Sequence, residues 1–307
     1  MSEMKTYLGW KVDYTSPPGE PALVVPDSIN WQVFKNPVAL AIGGICAVLL
    51  EFADARIRSG VWDHSVFKTD PIGRSKRTGT AAMVGTYGPA SAARRVIQGV
   101  NNMHARVSGQ TPDGEDYRAL DTELLDWVSA TAGFGFVTAY HRFVRRLTDE
   151  EINSYFIDSE PVVRLYGVQT PLRSLADFNA MMEKLLPRFE PHPINTEFLD
   201  IMKSGRAAPE VPKGLQSALV HAAVDILPIP VRERLGLGPE YNLSPIGRLT
   251  VKAMATIAER TPDLTSPAAQ ACERLGLPRS FLWKNESERA RLLESARNRS
   301  LLQEVSA

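Results

Sequence analysis

His104 is the residue whose type and setting best suit chemistry. Downstream of Pro89, Val96, Ile97, Val100, Met103 and Val107 recur at helical spacing and form one apolar stripe. His104 stands four residues after Val100 and seven after Ile97, on that stripe. An imidazole in this position has two readings. It is a core histidine satisfied by a backbone carbonyl, or it is a neutral metal ligand whose second nitrogen donates to a carbonyl or carboxylate that fixes the tautomer. No second His, Cys or carboxylate stands three or four residues away on the same face, which argues against a zinc or di-iron site built on this helix. A single axial histidine is what a haem iron takes from a protein.

Two further segments surround it. Some thirty residues upstream, GRSKRTG at positions 73–79 sets Arg74, Lys76, Arg77 and Thr78 side by side. This is either a solvated basic loop or an anion site, because the planar arginine fork matches a carboxylate such as a haem propionate. Downstream, YRALDTELLDWVSAT at 117–131 puts Leu120, Leu124, Val128 and Thr131 on one face. Asp121 reads as a helix N-cap, and Trp127 as core or as a cofactor wall. Among the other histidines, His141 reads as packing near Phe134, Val137 and Val144. His192 reads as part of a rigid Pro-His-Pro loop, and His221, in LVHAAV, as the next axial candidate.

The elements that must position these residues read as helices. Asn36-Pro37 opens one that runs to about Arg58, Pro89 a second ending near Gly109, and Asp121 caps a third continuing to about Arg146. Thr148 with Glu151 has the spacing of a capping box, and Ser174 with Asp177 resembles one. Later helices are predicted at about 194–204, 213–227, 244–260, 266–275 and 286–302. Residues 61–79 read as irregular, 110–114 as a turn, and no period-two strand pattern stands out. Residues 1–30, rich in proline and polar residues, read as an extended arm tacked to the body by Trp10, Tyr14 and Trp31. The prediction is one all-α domain over 31–307 behind that arm.

Composition bounds the function. The 307 residues carry 35 basic and 35 acidic side chains, so no global field draws nucleic acid or an anionic surface. A hydrophobic content of 44% supports a core large enough to enclose a sizeable ligand. Cys46 and Cys272 match no redox or metal spacing and fit a reducing compartment. The first twenty residues lack an apolar signal core, and the run from Pro37 to Phe52, interrupted by Gly43, Gly44 and Glu51, is too short to span a bilayer. The expected location is cytoplasmic, with no transmembrane segment.

The motifs together resemble a family. GV-x-x-HS at Gly60–Ser65, DP-x-GR at Asp70–Arg74, Arg77-Thr78, MHARVSG at Met103–Gly109, DG-x-x-Y-x-A at Asp113–Ala119 and D-x-x-L-L-x-WV-x-AT at Asp121–Thr131 are similar in order and spacing to the rubber oxygenase (latex-clearing protein) and mpaB-type oxygenase catalytic domains. YHRFVRRLTDEE looks like the continuation, and the likeness covers roughly 37–265. The resemblance implies a globin-like all-α fold holding haem b, with His104 as axial iron ligand and Arg74 and Thr78 lining the pocket. It implies dioxygen as co-substrate and an apolar, alkene-bearing substrate. Arg77 stands where some members carry a distal lysine, and an arginine cannot coordinate iron as a neutral amine. Ser129 stands where many relatives carry histidine. The family's distal base has no evident counterpart, with Asp63 and His64 as stand-ins, so Arg77 and His64 are the expected proton-handling residues. A haem peroxidase or peroxygenase, and a non-catalytic haem or apolar-ligand carrier, are the rival functions.

Overall fold

The structure is a computed structural model that describes residues 5–7, 10–64, 69–204 and 213–305. A hairpin of β1 (Lys5–Tyr7) and β2 (Trp10–Val12) leads into α1 (Ile29–Lys35), α2 (Pro37–Phe52), α3 (Ala55–His64), α4 (Pro71–Tyr87) and α5 (Ala90–His104). A second hairpin, β3 (Ser108–Gln110) with β4 (Asp116–Arg118), precedes α6 (Thr122–Phe143), α7 (Asp149–Leu165), α8 (Leu175–Leu185) and α9 (Pro193–Lys203). Then follow α10 (Lys213–Asp225), α11 (Ile229–Arg234), α12 (Pro245–Arg260), α13 (Pro267–Arg274) and α14 (Glu286–Val305). The fold is all-α, with two short hairpins as its only sheets among the described residues.

Local rules set most of these boundaries. Asn36, Ser244 and Ser266 each accept backbone N–H groups at a helix start with proline in the first turn. The Thr148–Glu151 capping box closes in both directions, with Glu151 N donating to Thr148 Oγ1 at 3.2 Å and Thr148 N to Glu151 Oε2 at 2.9 Å.

Several expectations change. Residues 61–64 close α3 and residues 71–79 belong to α4, whose start is set by Asp70 capping the nitrogen of Gly73 and by Pro71 in the first turn. GRSKRTG is therefore a helix face. The helix from Pro37 ends at Phe52, and Asp54, accepting from Arg56 N at 2.9 Å, starts α3 anew. The helix after Pro89 ends at His104 instead of near Gly109, and Met103, expected on the buried stripe, is 41% exposed. The strands of the β3–β4 hairpin, three residues each, are too short for an alternating pattern to register in the sequence. In the arm, Tyr14 and Trp31 are buried as expected, but Trp31 belongs to α1 and donates to Val24 O at 2.9 Å. Ser65 and the Trp10 side chain lie outside the described residues.

The core is organised around α2 and α6, which run antiparallel in close contact. At their crossing, Gly43 and Gly135 let the two backbones touch. A Cβ added at Gly43 would meet Gly135 O and Phe136 Cα, each at 2.7 Å. Farther along, Trp127, fully buried, donates to Leu50 O at 3.2 Å and packs on Phe178 and Phe189. Against this pair, α12 is fixed by a buried polar cluster. Lys35 Nζ lies 2.8 Å from Glu259 Oε1 and donates to Leu282 O and Gln32 Oε1, while Tyr140 donates to Glu259 Oε1 and Asn36 to Glu259 Oε2. No single helix among the described residues is long and apolar enough to cross a membrane; α1 and α2 together are, but they bend by 95° and α2 is largely buried.

A second device holds the corner between α4 and α5. Arg274 is 2% exposed and donates to the carbonyls of Tyr14, Glu20 and Tyr87 at 2.7–2.8 Å. The Glu20 carboxylate accepts from both Ser91 N and Ser91 Oγ, and Ala90 N donates to Pro21 O. The arm, the end of α4 and the start of α5 are thus stitched through one guanidinium.

Gly43→Ala is expected to cost about 1–3 kcal/mol, the usual penalty of overpacking where the neighbouring atoms are backbone. The midpoint of urea unfolding reads this; an unchanged midpoint would show that the crossing relaxes freely.

Candidate functional site

Four helices bring the site together. Arg74 and Thr78, one turn apart on α4, share a face, and the Arg74 guanidinium donates to Thr78 Oγ1. Thr78 Oγ1 also donates to its own helix at Arg74 O, 3.1 Å away. His104 closes α5 and Glu51 lies in the last turn of α2. Thr131, from α6, is fully buried, with Oγ1 2.8 Å from Val128 O and 3.4 Å from Glu51 Oε1. The charge of Arg74 reaches both His104 and Glu51.

Burial acts on the two titratable groups in opposite directions on the pH scale and to the same chemical end. Desolvation lowers the His104 pKa, and the positive Arg74 lowers it further, so the imidazole is neutral at physiological pH. Its Nδ1 is buried and makes no hydrogen bond. The carbonyl or carboxylate partner expected for the second ring nitrogen is thus not present at Nδ1. Desolvation pushes the Glu51 carboxyl up to about 7, against smaller opposing effects of Arg74 and the Thr131 hydroxyl. A neutral Glu51 can donate its proton to Thr131 Oγ1, whose own proton then goes to Val128 O.

The other motif residues build the frame. Tyr117, 3% exposed, is seated by two glycines: a Cβ would approach its ring at 3.3 Å from Gly60 and its hydroxyl at 2.7 Å from Gly109. Gly114, with φ +85°, makes the hairpin turn of the Asp113-Gly114 pair. Asp121 precedes α6 as expected but accepts from Arg118 N instead of capping a helix nitrogen. Leu120 lies before the helix and is 40% exposed, off the face assigned to it.

The two proton-handling candidates come from different helices, Arg77 from the second turn of α4 and His64 from the end of α3. Arg77 pairs at 3.7 Å with Asp70, the N-cap of its own helix. His64 is exposed at the end of α3, with its ring edge-on to Tyr117 at 6.4 Å. Glu51 was legible only as an interruption of an apolar run, yet a lone carboxylate in a buried helix is the signal that marks it. His141 and His192 have structural partners: their Nδ1 atoms accept from Leu147 N and Ile194 N, both at 3.2 Å. His221 stacks edge-on with Tyr241. Among the described residues, no three His, Cys, Asp or Glu side chains cluster as a metal-binding group.

A family model described as ER-bound oxygenase mpaB/B′/rubber oxygenase, catalytic domain, matches residues 31–260. The chain belongs to this oxygenase family. No curated protein and no solved structure matches it. Membership makes its chemistry that of an oxidoreductase using dioxygen and a substrate. The matched span contains Glu51, Arg74, Thr78, His104 and Thr131, and excludes the arm and Arg274.

A carboxyl whose folded pKa is raised holds its proton more tightly folded than unfolded. Its contribution to stability is full below the ordinary range near 4.5 and is lost as pH rises towards about 7. In haem-free protein, Glu51→Gln is therefore expected to match the wild type at about pH 4. At about pH 8 it should be more stable by about 1–3 kcal/mol. Urea midpoints at the two pH values test this, and an equal difference at both would refute it.

Proposed function

We propose that this oxygenase-family chain is haem b-dependent and oxidises an apolar, alkene-bearing small molecule with dioxygen. The observation that carries the reading is His104: a neutral imidazole with a buried, unpaired nitrogen, beside the cationic Arg74. A metal held by protein side chains alone needs several ligands. A haem iron needs one, since the porphyrin supplies four nitrogens.

His104 would supply the protein's ligand to the haem iron. Arg74 would face a propionate or another anionic group in the pocket, with Thr78 holding the guanidinium in place. When bound, the haem supplies the activation of dioxygen that side chains cannot perform. Glu51 supplies the proton handling: a carboxyl with pKa near 7 gives and takes a proton at neutral pH, and Thr131 orients it. It is better placed for this than Arg77, held by Asp70, or His64, out at the end of α3. A pure carrier has no use for a poised acid–base group, which favours catalysis over transport.

Purified protein, supplemented with haem, is expected to show a Soret band that shifts on reduction and carbon monoxide binding. His104→Ala should lose it. Absence of the band in the wild type would overturn haem dependence, and full retention in His104→Ala would overturn the ligand assignment.

Glu51→Gln is expected to keep the Soret band while kcat for dioxygen consumption falls by about 10²-fold or more. Unchanged kcat would move the proton-handling role elsewhere.

A further inference from the structure

The four most exposed large aliphatic side chains among the described residues fall between positions 229 and 257. They are Ile246 at 77%, Ile229 at 72%, Leu249 at 69% and Ile257 at 64%. Three belong to α12. At 3.6 residues per turn, Ile246, Leu249, Ala253 and Ile257 form one ridge, opposite the buried Val251 and Ala255. The fourth, Ile229, opens α11 four residues after Asp225, whose carboxylate holds Arg248 of α12 at 2.9 Å.

The charges on this helix are one-sided. Lys252 and Arg260 are exposed beside the ridge. Glu259, the one acid of α12, is turned inward to Lys35, Tyr140 and Asn36. A second copy of the chain would bring like charges against Lys252 and Arg260. A single ridge also offers far less apolar area than the ~800 Å² per partner of a stable dimer. A convex aliphatic ridge flanked by cations suits a deformable, anionic layer, in which aliphatic tips enter the acyl boundary and basic groups meet phosphates.

We propose that α12 docks the protein on an anionic phospholipid bilayer. Ile246, Leu249 and Ile257 enter the headgroup–acyl boundary, while Lys252 and Arg260 lie at the phosphate level. The inference stands apart from the haem reading, since none of these residues belongs to the site.

The test is flotation of the full chain with vesicles of phosphatidylcholine containing about one-third phosphatidylserine, against phosphatidylcholine alone. The wild type is expected to float with the anionic vesicles, less so at high salt, since screening weakens its electrostatic part. Leu249→Glu should lower partitioning about tenfold, and the triple Ile246→Glu/Leu249→Glu/Ile257→Glu variant should not float, with unchanged far-UV circular dichroism. Lys252→Glu/Arg260→Glu, which leaves the ridge intact, should lose the preference for phosphatidylserine. The proposal is overturned if the wild type fails to float at low salt or if the triple variant floats equally well. It is also overturned if light scattering shows a dimer that Leu249→Glu dissociates, which would assign the ridge to a second copy.

Discussion

The contact on which the structure depends is the crossing of α2 and α6 at Gly43 and Gly135. Two helices that lack side chains at their nearest point approach until backbone meets backbone. This separation is what lets Trp127 reach Leu50 O and brings Thr131 within 3.4 Å of Glu51. Wider spacing would leave an indole N–H and a carboxyl in the interior without those neighbours, at the cost that buried polar groups incur when unpaired. The geometry of the acid at the site is thus inherited from glycines lying two turns and one turn away.

The other half of the site is held from outside the family's matched span. Arg74 and Thr78 come from α4, His104 from α5, and the corner joining these helices is tied to the arm by Arg274 and Glu20. Arg274 is buried without a carboxylate at hydrogen-bond distance among its described contacts, and desolvation lowers its pKa to about 10. Its Nε, Nη1 and Nη2 each donate to a different carbonyl, a use for which a rigid fork is better suited than a lysine. The segments that flank the catalytic domain in sequence therefore act on its geometry.

Burial, aided at His104 by Arg74, moves two groups of opposite charge type towards their neutral forms. His104 gives up its proton more readily and Glu51 holds its own more tightly, because a charge on either is poorly solvated. Arg74 sits between these demands. Its charge makes a protonated His104 less favourable and tempers the rise at Glu51. A neutral imidazole and a carboxyl of raised pKa thereby coexist around one permanent cation.

The sequence by itself determined the elements whose signals are local. The proline and cap residues at Asn36-Pro37, Ser244-Pro245 and Ser266-Pro267, the capping box at Thr148 and the apolar spacing before His104 specify helices within a few residues of chain. The motif order was enough for the family. Tertiary structure decided what depends on neighbours distant in sequence. It made a helix face of GRSKRTG once Asp70 was seen to cap Gly73. It turned Asp113-Gly114 and Tyr117 into a hairpin packed on Gly60. It also made Glu51 a functional candidate, since a carboxylate in an apolar run is merely anomalous until Thr131 and Arg74, eighty and twenty-three residues away, stand beside it. Helix propensity and capping act over a few residues, whereas a pKa is set by whatever the fold places within a few ångströms.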